Sequence, residues 1–265
     1  MELVIGCSTR PFRDLSFAEA CDHIALAGYT DVAVFRNEGR VPVCSGSQAD
    51  DVAETRKIAG DAGLRPSMLL GGTKLDLGLE AAVEDYMRLI RNAAELGSEW
   101  LLDCGKCKKN QYDDYIELMR RAMPHAEDSG VEVVLKPHGG ITLTIDDMLR
   151  AQERVNHPNF GICYDPGNIL YYTKGELRPE DGIDRIAPMV KAGIVKDCVL
   201  KNGIPDVMVT PGEGLVDFKK VFTGLIRDGF EGPLYVECVS GNEVNEIDKN
   251  IRSTLEFVKG ILADL

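Results

Sequence analysis

The feature that most constrains this chain is a repeated alternation. A short apolar run, a polar loop and a longer stretch with apolar residues three and four apart follow one another eight times. The runs read as strands at 3–7 (LVIGC), 31–35 (DVAVF), 66–70 (PSMLL), 100–104 (WLLDC), 132–136 (EVVLK), 160–165 (FGICYD), 191–197 (KAGIVKD) and 233–238 (PLYVEC). Their nearly unbroken apolar character suits strands covered on both faces, as in parallel sheets. Helical spacing fills the gaps, as at Phe17, Ala20, Cys21, Ile24 and at Tyr86, Leu89, Ile90, Ala93. Gly63, Gly97 and Gly130 supply stops, and a last helix is expected over 243–262.

Strand and helix alternating eight times within 265 residues is the arithmetic of a (β/α)8 TIM barrel, α/β in class. The rival is a doubly wound sheet, which places a glycine-rich turn after its first strand. Here that turn is CSTRPF, with no GxGxxG, so no nucleotide cofactor is expected. No linker or low-complexity segment interrupts the chain, which reads as one domain over 1–265.

Charge narrows the partners. With 30 Lys+Arg against 43 Asp+Glu the net charge is −13, and no basic patch offsets the repulsion from nucleic acid or an anionic membrane. No run approaches the ~18 apolar residues of a membrane span, and the start MELVIGCSTRPF lacks a signal pattern, so a cytoplasmic protein is expected. Several of the eight cysteines fall inside apolar runs and read as small buried hydrophobes of a reducing compartment.

In a barrel the chemistry gathers at the carboxyl ends of the strands. The polar residues there are Arg10, Cys104 with Lys106, Lys136 with His138, Asp165 with Asn168, Lys196 with Asp197, and Glu237. Residues two apart on a strand share a face. Lys136 and His138 therefore pair, as do Cys163 and Asp165, Ile194 and Lys196, Tyr235 and Glu237. The last four strands would present Lys, Asp, Lys and Glu to one cavity, with Arg10, Lys106 and Asn168 as substrate contacts. The plain alternative is that a charge ending an apolar strand meets solvent at the rim.

Five segments carry a family likeness in order and spacing: KPHGGIT, HPNFGICYDPGNILYY, IVKD, GEGLVDFKKVF and GFEGPLYVEC. Through them the chain resembles, over nearly its whole length, the sugar phosphate isomerase/epimerase family of xylose isomerase-like barrels. The resemblance implies a small-molecule carbohydrate as partner. It also implies one divalent metal held by a Glu, an Asp, a His and a Glu at the ends of strands five to eight. Such a metal stabilises an enediolate while carboxylates move a proton at the neighbouring carbon. Carried over, the Asp is Asp165 and the last Glu is Glu237. The strand-five Glu position holds Lys136, and the strand-seven His position holds Ile194.

Two of four ligands are thus missing, and an ammonium sits where a cation would bind. The expectation is no cofactor or a weakly held divalent metal, using at most Asp165, Glu237 and His138. Three readings stand: a metal-independent isomerase, epimerase or lyase with Lys136 or Lys196 as electrophile and His138 or a carboxylate as proton carrier; a lysine Schiff-base enzyme of aldolase or dehydratase type; or a barrel that only binds a sugar or a protein. A homo-oligomer is compatible with any of them. The endonuclease branch of the superfamily needs a multi-histidine, multi-metal site that four histidines here do not supply.

Weaker signals remain. CGKC, residues 104–107, has redox or half-zinc spacing, although Lys106 and Lys108 fit an anionic substrate group or water better. GEG, residues 212–214, could bring backbone amides to a phosphate. Tyr171 and Tyr172 suit either stacking on a sugar or packing, and His23 lies on a helix as a structural residue.

Overall fold

The computed structural model describes residues 3–265. Eight parallel strands close a barrel: β1 (Ile5–Ser8), β2 (Asp31–Val34), β3 (Arg65–Leu70), β4 (Trp100–Asp103), β5 (Glu132–Leu135), β6 (Phe160–Tyr164), β7 (Val190–Val195) and β10 (Leu234–Val236). Each pairs with the next in sequence, and β10 returns to β1 in the register Ile5 to Leu234 and Cys7 to Val236. A two-stranded hairpin, β8 (Val199–Lys201) and β9 (Ile204–Asp206), stands apart from the barrel.

The helices are α1 (Phe17–Leu26), α2 (Ala49–Asp61), α3 (Leu79–Leu96), α4 (Tyr112–Asp128), α5 (Ile145–Val155), α6 (Pro166–Tyr172), α7 (Ile183–Ile186), α8 (Phe218–Arg227) and α9 (Val244–Ala263). Their apolar stripes face the sheet. On α3 the buried residues include Val83, Tyr86, Leu89, Ile90, Ala93 and Leu96, at the spacing read from the sequence, and Gly97 ends the helix at φ 91°. No helix of the described residues is long and apolar enough to cross a membrane.

Two cores result. The larger lies between strands and helices; the smaller fills the barrel with Ala33, Phe35, Met68, Leu102, Val134, Cys163, Ala192, Ile194 and Tyr235. The smaller one positions the site. Alternation puts Lys136, Asp165, Lys196 and Glu237 two residues beyond Val134, Cys163, Ile194 and Tyr235, on the same inward face and one layer higher.

The expected strands are all present, with ends shifted by up to two residues. Strand seven stops at Val195 and strand eight at Val236, so Lys196, Asp197 and Glu237 lie just past the ladder. The hairpin was not expected. Its signal is Asn202-Gly203, whose φ values of 52° and 78° give the tight turn that joins twisted antiparallel strands.

Candidate active site

Lys136, Asp165, Lys196 and Glu237 meet at the carboxyl end of the barrel as one buried cluster, each at most 3 % exposed in its side chain. Lys136 Nζ donates to Glu237 Oε2 at 2.5 Å and lies 3.4 Å from Asp165 Oδ2. Lys196 Nζ donates to Glu237 Oε1 at 2.7 Å, Asp165 Oδ2 at 3.1 Å and Asn168 Oδ1 at 3.1 Å. Two ammonium groups thus neutralise two carboxylates out of water, which is what makes burying four charges tolerable.

The two lysines differ. Lys196 has a partner for each of its three N–H donors and does not line the cavity, so it is a strut. Lys136 lines the cavity and has one short hydrogen bond. Burial pulls its pKa down, but Glu237 and Asp165 more than reverse this and hold it well above the ordinary lysine value. In return, burial pushes Glu237 up while Lys136, Lys196 and Arg10 hold it well below the usual carboxylate range. At neutral pH Lys136 is thus held as the ammonium and Glu237 as the carboxylate.

Asp165 caps α6, accepting from Asn168 N at 2.9 Å, and Asn168 Nδ2 donates to Pro137 O at 2.8 Å. Helix and KPHGG loop are clipped together. Asn168 was expected to touch substrate; it is buried instead, with its amide engaged at both ends inside the protein. In the loop, Gly139 turns at φ 74°, and a Cβ there would come within 2.8 Å of the Tyr172 ring. That close approach lets the Tyr172 hydroxyl reach His138 Nδ1 at 2.9 Å. Burial first, then Lys136, Lys106 and Lys196, bring the His138 pKa down to about 4, so its imidazole is neutral at pH 7.

The cavity above the cluster measures about 670 Å³, and Arg10, Lys106, Lys136, His138 and Glu237 all line it. Arg10 Nη1 stands 3.6 Å from Glu237 Oε1. Five expected site residues therefore face one space, while Asp165, Asn168 and Lys196 lie behind it.

The family's metal does not fit this donor set. Both carboxylates are bonded to ammonium groups, His138 is engaged by Tyr172, and Ile194 is buried in the apolar layer below. Among the described residues no three His, Cys, Asp or Glu side chains are grouped to hold a metal ion.

The weaker signals resolve differently. The GEG loop offers no phosphate cradle: Asp197 Oδ2 accepts from Gly212 N at 3.0 Å and Gly214 N at 2.9 Å, and its Oδ1 from Val216 N at 3.0 Å. The amides already hold an anion, one supplied by the chain. In CGKC, burial raises the pKa of Cys104 and takes Cys107 up to about 11, so neither is a poised thiolate.

Two residues, Asp103 and Arg36, escaped the sequence reading, and the contact made by a third, Tyr172, was not foreseen. Asp103, fully buried, receives Gly105 N at 2.7 Å and the hydroxyls of Tyr115 at 3.1 Å and Tyr86 at 3.2 Å, fixing the loop that carries Lys106. Its signal was an aspartate inside the apolar run WLLDC. Tyr172, read from the sequence as stacking on a sugar or packing, contacts His138 across 34 positions, and Arg36 lines the cavity from beyond β2; nothing local marks that contact or Arg36.

Known proteins share this fold. The family described as xylose isomerase-like TIM barrel matches residues 21–261. An inosose dehydratase of Geobacillus thermodenitrificans is 25% identical over 142 residues, 49% of this chain and 48% of that protein, so the match spans about half of each. Two solved structures share the fold. A xylose isomerase-like TIM barrel protein from Mycobacterium smegmatis, in complex with magnesium, superposes with a TM-score of 0.78 at 17% identity, covering 98% of each chain. D-psicose 3-epimerase with D-tagatose from Clostridium cellulolyticum gives 0.76 at 13% identity, covering 98% of this chain and 99% of that one. With the closed eight-stranded barrel, the family match over nearly the whole chain makes this protein a member of the xylose isomerase-like TIM barrel family.

Proposed function

We propose that the protein is a carbohydrate isomerase or epimerase that moves a proton at the carbon next to a carbonyl, without the four-ligand metal site of its family. The observation that carries this reading is Lys136: a buried ammonium, held protonated, at the floor of a cavity it shares with a neutral histidine. Fold relatives that include a sugar epimerase, and a partial relative that is an inosose dehydratase, support the substrate class.

The chemistry follows from the charges. When His138 takes the proton from carbon, the C–H electrons form a carbon–carbon double bond and the carbonyl π electrons move onto oxygen. Lys136 donates a hydrogen bond to that oxyanion, where low dielectric and a fixed geometry make it effective. Return of the proton to the former carbonyl carbon, while the hydroxyl proton of the first carbon passes to the oxyanion, isomerises the sugar; protonation of the first carbon from its other face by water, as the oxyanion closes back to the carbonyl and His138 gives its proton to solvent, epimerises it. Glu237 keeps Lys136 charged and, held well below its usual pKa, is a poor base itself. The Schiff-base alternative needs a neutral amine, which the two carboxylates beside Lys136 oppose.

Exchange of carbon-bound hydrogen with deuterated water, followed by NMR over a panel of keto sugars, tests this. Exchange is expected in the presence of a chelator and is expected to vanish in Lys136→Met. No exchange with any panel member, or exchange abolished by the chelator and restored by a divalent ion, would sink the reading.

A further inference from the structure

The charge of the cavity is opposite to that of the chain. The protein carries −13 overall, yet the cavity is lined by Arg10, Arg13, Arg36, Lys74, Lys106 and Lys136 against one carboxylate, Glu237. Some of these cations are already neutralised: Lys136 by Glu237, Lys74 by Asp85 at 3.1 Å, Arg13 by Asp14 at 3.6 Å. Arg36 and Lys106 have no carboxylate within ion-pair distance among the described residues, and Arg10 has only Glu237 at 3.6 Å. The Nε atom of Arg10 is buried and has no hydrogen-bond partner among the described residues. The Arg10 side chain as a whole is nevertheless 38 % exposed and lines the cavity.

A second hollow of about 840 Å³ adjoins the first and shares Thr73, Lys74, Cys104, Lys106 and His138 with it. Lys106 therefore stands where the two spaces meet. It is carried on the loop that Asp103 fixes through Gly105, so its base is held although its ammonium is exposed. The backbone amides of the GEG loop are filled by Asp197, which leaves side-chain cations as the groups here for an anion.

From this layout we infer that the substrate is an acidic carbohydrate, its carboxylate or phosphate ester held by Lys106 and Arg10 with Arg36 at the entrance, and its carbonyl end over Lys136. The inference rests on reading the cavity as a sugar site. A cationic pocket in an acidic protein focuses its field on small anions and raises their local concentration, an effect that salt screens. For a neutral sugar the same wall would leave these cations without partners.

The test is calorimetric binding of D-glucuronate against D-glucose, and of D-fructose 6-phosphate against D-fructose, to the full chain at low and high potassium chloride. The acidic member of at least one pair is expected to bind at least about tenfold more tightly, with the gap narrowing in salt. The first pair reports a carboxylate site, the second a phosphate site. Lys106→Glu and Arg36→Glu alter exposed side chains outside the buried cluster, and their folding is checked by circular dichroism. Each should lower affinity for the acidic ligand by about tenfold and affect binding of the neutral sugar far less. Equal binding within both pairs, or no effect of either reversal, overturns the inference. Acid-selective binding without hydrogen exchange would overturn the proposed reaction alone. Exchange on a neutral sugar that Lys106→Glu leaves unchanged would overturn the acidic substrate alone.

Discussion

The two halves of the barrel mouth are built on opposite principles. Behind the ends of β5, β6, β7 and β10, every charge has a partner: two lysines and two carboxylates interlock, and Asn168 ties them to the KPHGG loop. Around the ends of β1, β2 and β4, Arg10, Arg36 and Lys106 point a surplus of positive charge at the same space with little to offset it. A satisfied network holds its geometry; an unsatisfied one attracts a ligand. Lys136 belongs to both, bonded to the cluster and exposed to the cavity.

If the first half is structural, its loss should show in stability. Lys196→Met keeps the volume but leaves Asp165, Asn168 and Glu237 without the ammonium that joins them. Breaking one side of a buried ion network costs about 3–5 kcal/mol, to be read from urea unfolding. A loss below about 1 kcal/mol would mean that Lys136 alone carries the neutralisation. Lys136→Met breaks the same network and should also destabilise the fold, but beyond that it should act on turnover: removing one oxyanion donor lowers kcat about 10²–10³-fold, with KM changing far less. Equal losses in both would erase the distinction between strut and electrophile.

The floor was legible in the sequence because strand alternation is local. Val134 predicts the direction of Lys136, and Tyr235 that of Glu237, as soon as the strands are drawn. Asp165 could be placed the same way, but its part as the cap of α6 could not, since capping depends on where the strand stops. The wall was less legible. Arg36 and Tyr172 reach the site from loop and helix positions whose direction is set by long-range packing, as with Gly139 against the Tyr172 ring. GEG misled for a related reason: its amides were visible in the sequence, but the Asp197 side chain that fills them was assigned to the mouth.

The wall can be sharpened through His138. Its pKa of about 4 means that the neutral, proton-accepting form persists through mildly acid solution, where an ordinary histidine near 6.5 would be mostly charged. The acid limb of kcat/KM, which reports the free enzyme, should therefore fall near pH 4. At pH 5.5 an ordinary histidine would be roughly tenfold depleted in its neutral form, whereas this one is expected to remain active. Lys106→Glu removes one of the cations that depress it and adds an anion, so the limb should move up toward 6.5. A limb that stays put in this variant would show that burial and Lys136 act on His138 without help from the wall.

The smallest expected effect lies where the halves touch. Tyr172→Phe deletes the hydroxyl 2.9 Å from His138 Nδ1 and leaves the ring that packs on Gly139. A single hydrogen bond of this kind is worth about 0.5–1.5 kcal/mol, so kcat should fall by roughly two- to tenfold. The direction of the accompanying pH shift assigns its role. If the hydroxyl donates to the imidazole, it stabilises the neutral base, and its removal raises the His138 pKa along with the drop in kcat. If it accepts, it favours the protonated ring, and removal lowers the limb further. Either shift ties Tyr172 to proton transfer; an unchanged limb with an unchanged kcat would reduce the contact to packing.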